Sequence, residues 1–170
     1  MPQHFGPDNA SLRIKTGRTG GAAKAGHDLL IEVGSWQATL DPEAEPALTL
    51  TADSSSLRVL EGTGGPKGLT EKDKADIKKT IDKEVLKGTP IEFRSTEVQE
   101  AAGGLNVRGE LSIGGKQAPV TFELARSGDG AVTGSAQVTQ SAHGMKPYST
   151  LFGALKVADE VTVLIDGNSR

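Results

Sequence analysis

Residues 105–124 read LNVRGELSIGGKQAPVTFEL. Before the two glycines, Leu105, Val107, Gly109, Leu111 and Ile113 alternate with Asn106, Arg108, Glu110 and Ser112. After them Val120, Phe122 and Leu124 alternate with Thr121 and Glu123. Strand side chains point to opposite faces with a period of two, so the stretch predicts a hairpin with one dry face. That face is either an ordinary packed core or the wall of a container.

Working outward, strand-like pieces of the same kind recur: SLRIKTG, HDLLIEV, SWQATL, ALTLTAD, SLRVLE, PIEFRST, AVTGSAQVTQ and EVTVLID. Turn signals separate them, among them Gly34-Ser35, Asp41-Pro42, Ser54-Ser55 and Gly128-Asp129-Gly130. Short connections between alternating strands predict antiparallel neighbours in one meander. One segment breaks the rhythm. Ile77, Ile81 and Val85 stand four apart, the spacing of a helical stripe, and Thr70 with Asp73 reads as an N-cap. Gly88 and Pro90 stop the helix. It is expected near residues 70–87, a lid or plug on one end of the sheet.

The apolar positions of one parity can be collected along the chain: Leu29, Ile31, Val33; Trp36, Ala38, Leu40; Leu48, Leu50, Ala52; Leu57, Val59; Ile91, Phe93; Val132, Gly134, Ala136, Val138; Val161, Val163, Ile165. A single dry face on about eight antiparallel strands is buried most simply by closing the sheet on itself, which also removes its exposed edges. The expectation is an all-β, up-and-down, lipocalin-like barrel with one inserted helix. It forms one domain over residues 11–170, preceded by a flexible segment of residues 1–10. Such a barrel is filled by side chains or holds one small ligand. Ala38, Ala52, Gly109, Gly134 and Ala136 leave volume inside, although glycine also marks bends at barrel corners. Both outcomes stay open on the residues alone.

The remaining chemistry is mostly excluded. With no cysteine among 170 residues there are no disulfides, thiol nucleophiles or thiolate metal sites. A formal net charge of −3, with lysines and arginines interleaved among acids, gives no basic surface for nucleic acid. The N-terminal stretch has no basic region followed by an apolar run, and no stretch has the length to cross a bilayer, so a cytoplasmic location is expected. GTGGPKG at 62–68 lacks the Lys-Ser/Thr ending of a phosphate cradle and reads as a loop. Arg18 and Lys24, in a second glycine-rich run, read as solvated loop charges. His4, His27 and His143 show no metal-ligand spacing, and no nucleophile elbow accompanies them. No metal, cofactor or catalytic group is expected.

The order of pieces resembles the YceI-like family of lipocalin-like barrels. The match is carried by GTPIEFRSTEV (88–98), a proline-led strand ending in Phe-x-Ser, followed by GLNVRGELSIGGKQAPVTFEL (104–124), with its Gly-x-Leu-x-Ile-x-Gly hairpin and Val-x-Phe strand. AGHDLLIEVGSWQATL near the start and ALKVADEVTVLIDG near the end add to it. One departure is EKDKADIKKTIDKEVL, where relatives often carry an Arg-Asp…His-Leu element. The resemblance implies binding of a polyisoprenoid-like lipid, as carrier or reservoir, without turnover. Under that reading an apolar chain lies along Leu50, Phe93, Val107, Gly109, Leu111, Phe122, Ala136 and Val138, with its polar end near His27 or His143. Two rival readings are an enzyme using His27 or His143 as a base in the cavity, and a filled barrel acting as a stress-related protein-interaction module.

Overall fold

A computed structural model describes residues 2–19, 28–63, 69–145, 149–150 and 155–168. The glycine-rich runs at 20–27 and 64–68 lie outside the described residues. In chain order the strands are β1 (Gln3–Phe5), β2 (Ala10–Lys15), β3 (Arg18–Thr19), β4 (Asp28–Val33), β5 (Trp36–Leu40), β6 (Leu48–Ala52) and β7 (Leu57–Thr63). The helix α1 (Glu71–Thr80) follows, and then β8 (Ile91–Ala101), β9 (Gly104–Ile113), β10 (Lys116–Arg126), β11 (Ala131–Thr139), β12 (Ser149–Thr150), β13 (Leu155–Val157) and β14 (Glu160–Asn168). The hairpin read from residues 105–124 is β9–β10. Gly114 and Gly115 have φ of +63° and +82°, the left-handed pair that a two-residue hairpin turn demands.

The main sheet has eleven strands in the order β1-β5-β6-β8-β9-β10-β11-β14-β2-β4-β7, against about eight expected. Three backbone breaks account for the difference. Strands β1 and β2 flank residues 6–9, β4 and β5 flank Gly34 and Ser35, and β6 and β7 flank residues 53–56. Each pair keeps one direction across its break. At the second and third breaks the strands stay bonded: Gly34 N–H donates to the Ser56 carbonyl and Asp53 N–H to the Ser35 carbonyl, both at 2.9 Å. Strand β4 pairs with β2 and β7, while its continuation β5 pairs with β1 and β6. Joined across the breaks, the strands form eight staves, each antiparallel to the next. The stave β1–β2 lies between β4–β5 on one side and β14 on the other, so the ring closes. The barrel is a meander throughout, and β3, β12 and β13 form a small separate sheet.

Residues 1–10, expected to be loose, supply a strand. Gln3–Phe5 pairs with β5, and the Phe5 side chain is buried in the core. The strand Gln3-His4-Phe5 carries one apolar residue, and three residues are too few to show a period.

The helix forms as its caps dictate. Asp73 N–H donates to Thr70 Oγ1 at 3.1 Å, and Thr70 N–H donates to the Asp73 carboxylate at 3.0 Å, a complete capping box. Beyond Thr80 the coil widens to a π-helical turn over Ile81–Val85, and Gly88 at φ +69° follows its end. Ile77, Ile81 and Val85 pack against the core, and Leu86 is buried in it. Strand β8 starts at Ile91 opposite Ala52, so it does not extend alongside β7; α1 packs there instead. Lys78 Nζ ties the helix down, donating to the Ser55 carbonyl at 2.8 Å and to the Asp82 carboxylate at 2.9 Å. The inserted helix is therefore a piece of barrel wall at the open end. Nearby, the side-chain hydroxyl and backbone N–H of Ser55 both donate to Asp53, which holds that carboxyl below its ordinary pKa.

Candidate functional site

The inward faces of the staves enclose a cavity of about 580 Å³. Its floor is built from Phe5, Leu12, Leu40, Leu124 and Val132, and its upper wall from Ile77, Ile81, Val85, Ile91, Ile113, Met145 and Val161. Most of the lining side chains are hydrocarbon. The parity argument explains why: once one face of a meander turns inward, every alternate residue of every stave meets the same enclosed space.

Six of the eight residues assigned to the chain-binding wall line this cavity: Leu50, Phe93, Leu111, Phe122, Ala136 and Val138. Phe93 and Phe122, from the two neighbours of β9, meet on one wall of it with ring centroids 5.5 Å apart and planes inclined at 56°. Val107 and Gly109 do not line the cavity. Val107 is only 1% exposed and is packed among other side chains. Gly109 faces inward, but a Cβ there would lie 2.5 Å from the Phe93 ring and 2.5 Å from the Arg94 carbonyl. The glycine seats Phe93 and accommodates the bulge between Ser95 and Glu97 in β8; it does not make room for a ligand. Gly109→Ala is accordingly expected to destabilise the fold by about 1–3 kcal/mol, the usual cost of overpacking, and a chemical denaturation curve superimposable on the parent would refute that role. The Phe-x-Ser motif finds its reason in the same place. Ser95 is buried, and its Oγ accepts the Leu48 N–H at 2.9 Å, joining β8 to the start of β6.

His143 is not a polar end for the cavity either. It is buried at the end of a 3₁₀ turn (Gln140–His143), outside the cavity lining. Its Nδ1 lies 3.2 Å from the Thr139 carbonyl and its Nε2 3.0 Å from the Leu111 carbonyl. Both ring nitrogens face backbone carbonyls, one of which the single N–H of a neutral ring can bond; the Leu111 carbonyl belongs to β9, and the ring turns no nitrogen toward the cavity. His27 lies outside the described residues, so nothing places it at the mouth.

Polar groups at the mouth come from elsewhere. Thr16, Arg18, Asp76, Thr80 and Gln140 line the upper part of the cavity. Arg18, read as a solvated loop charge, sits on β3, and its Nε donates to the Asp28 carboxylate at 2.9 Å. Thr16 Oγ1 accepts the Leu29 N–H at 3.1 Å. Gln140 was legible in the sequence. Counting by twos from Val132 through Gly134, Ala136 and Val138 reaches it, a polar residue at an inward position. No group of three or more histidine, aspartate or glutamate side chains gathers to hold a metal among the described residues, and none of their helices is long and apolar enough to cross a membrane.

A closed antiparallel barrel around an apolar cavity, with a helix in the wall at its open end, is the architecture of a lipocalin-like binding barrel. The pattern of the YceI-like domain matches residues 28–168, and the chain belongs to that family. Two solved structures share the fold. The crystal structure of Burkholderia cenocepacia BcnA is similar at TM-score 0.60 and 20% identity, covering 92% of this chain and 94% of its own. A crystal structure of the Campylobacter jejuni YCEI protein is similar at TM-score 0.52 and 14% identity, covering 82% and 84%. Comparison with proteins of curated function finds no match.

Proposed function

We propose that the protein binds a long apolar lipid chain, of the isoprenoid type, inside the barrel and carries or stores it without chemical change. The observation that supports this most directly is the cavity itself: about 580 Å³ of space, open at its mouth, with a largely hydrocarbon lining. At the ~30 Å³ that a water-sized group occupies in a liquid, this is room for roughly twenty methylene-sized groups. Each one buried contributes about 0.8 kcal/mol, so ten of them supply roughly 8 kcal/mol before ordering costs, the scale of micromolar binding. A charged anchor is not needed. Membership of the YceI-like family supports the same reading, as does the position of His143 outside the cavity lining.

Two measurements test it. Organic extracts of the natively purified protein should contain a long-chain lipid by mass spectrometry. In a titration with prenols of increasing length, affinity should rise about tenfold or more with each added isoprene unit until the cavity is full, then level off. Empty extracts together with no uptake at any length would overturn the proposal, and binding indifferent to length would do so equally.

A further inference from the structure

We propose that Gln140 is the head-group site of the cavity and that it selects chains ending in a hydrogen-bond donor, an alcohol above all. The inference rests on the lipid-binding reading and adds the chemistry of the ligand's polar end.

Gln140 follows β11 at the mouth and is 6% exposed, yet it lines the cavity. Hydrogen bonds from both its backbone and its side chain hold it in place. Its backbone N–H donates to the Asp159 carbonyl at 2.8 Å, its backbone carbonyl accepts the Met145 N–H at 3.2 Å, and its side-chain Nε2 donates to the Ala158 carbonyl at 3.0 Å. The last bond fixes which way round the amide stands. Turning it over would set the amide oxygen against the Ala158 carbonyl, two acceptors facing each other. The Nε2 end is therefore committed to the protein, and Oε1 receives no hydrogen bond from any described residue. This oxygen is not fully buried, so it meets accessible space, and an apolar chain that fills that space without a donor leaves it unpaired, typically at about 1–3 kcal/mol.

The neighbours narrow the class. Val138, Met145, Val157 and Val161 line the same part of the cavity and offer no polar side chain. Arg18, the cation among the described lining residues, is engaged with Asp28, and Asp76 lines the rim as well, so the described part of the mouth does not present a bare positive charge to a phosphate. A hydroxyl at the end of an apolar chain satisfies the Gln140 oxygen while its hydrocarbon fills the space below. An ether or a quinone carbonyl brings only acceptors and leaves that oxygen unpaired.

Geranylgeraniol and its methyl ether share one chain and differ in the donor, so their comparison needs no altered protein. The alcohol is expected to bind wild type roughly tenfold more tightly than the ether, the effect of one acceptor left unpaired once the chain covers it. In Gln140→Leu the two should bind equally, at about the affinity of the ether for wild type, and Gln140→Glu should weaken both. Because an amide does not titrate, the preference for the alcohol should be unchanged across neutral pH. Equal binding of alcohol and ether to wild type would overturn the head-group assignment and leave lipid binding standing. Failure of both to bind at all would overturn lipid binding, and the assignment with it. If Gln140→Leu did not fold, shown by its thermal melt, the wild-type comparison would still decide.

Discussion

Val107→Asp is expected to unfold the protein, whereas Arg108→Asp should change its stability by less than about 1 kcal/mol. The two positions are adjacent on β9, and only the parity separates them. Val107 is among the most buried side chains, while Arg108 is exposed opposite Glu97. A carboxylate at 107 has no partner and no water, at a cost of several kcal/mol against a total stability of about 5–15 kcal/mol for a domain. At 108 it adds only a like charge across the ladder from Glu97. Circular dichroism melts of both variants check this, and equal melting temperatures would show the faces of the strand to be reversed. Since Val107 does not line the cavity, the expected loss is one of folding and not of a ligand contact.

The second large effect concerns the cavity. Ala136→Phe should abolish uptake of a long prenol and leave the melting temperature of the empty barrel nearly unchanged. Ala136 lines the cavity from β11, opposite Val163 of β14, and its methyl leaves the space in front of it open. In a filled core an added ring is overpacking, at about 1–3 kcal/mol. In a hollow barrel the ring is buried in space that already exists, and its apolar area offsets the side-chain entropy lost. Calorimetric titration with geranylgeraniol and a thermal scan of the apo protein separate the outcomes. A drop of many degrees, with unchanged uptake by the fraction still folded, would mean that the ligand lies elsewhere. Gly109 is unsuitable for such a test, because Phe93 already occupies the space in front of it.

The difference between these two small residues shows where sequence reading stops. Gly109 and Ala136 have the same parity and the same apparent vacancy. The vacancy in front of Ala136 is real, and that in front of Gly109 is taken by a ring from β8, two residues before the bulge that shifts the register at Ser95. Nothing in the alternation of β9 announces a bulge in its neighbour. His143 illustrates the same limit from the other side. Its chemistry suggested a base or a ligand contact, yet its nitrogens face the carbonyls of Thr139 and Leu111, the second 32 residues away in sequence, and the ring is outside the cavity lining.

Local periodicity by itself determined the dry face, the hairpin with its pair of glycines, the helix from its capping box to Gly88, and the closure of the meander into a barrel. Each of these follows from residues near one another in the chain, or from the need of a one-sided sheet to bury that side. The inward set read from that periodicity stops at Val138, one step short of Gln140. Only the tertiary structure decided that β1 belongs to the wall, that eight staves are cut into eleven strands, and that the interior is hollow at Ala136 and full at Gly109. Those outcomes depend on how side chains from distant strands share one enclosed volume. Packing is a sum over neighbours that a single strand does not contain.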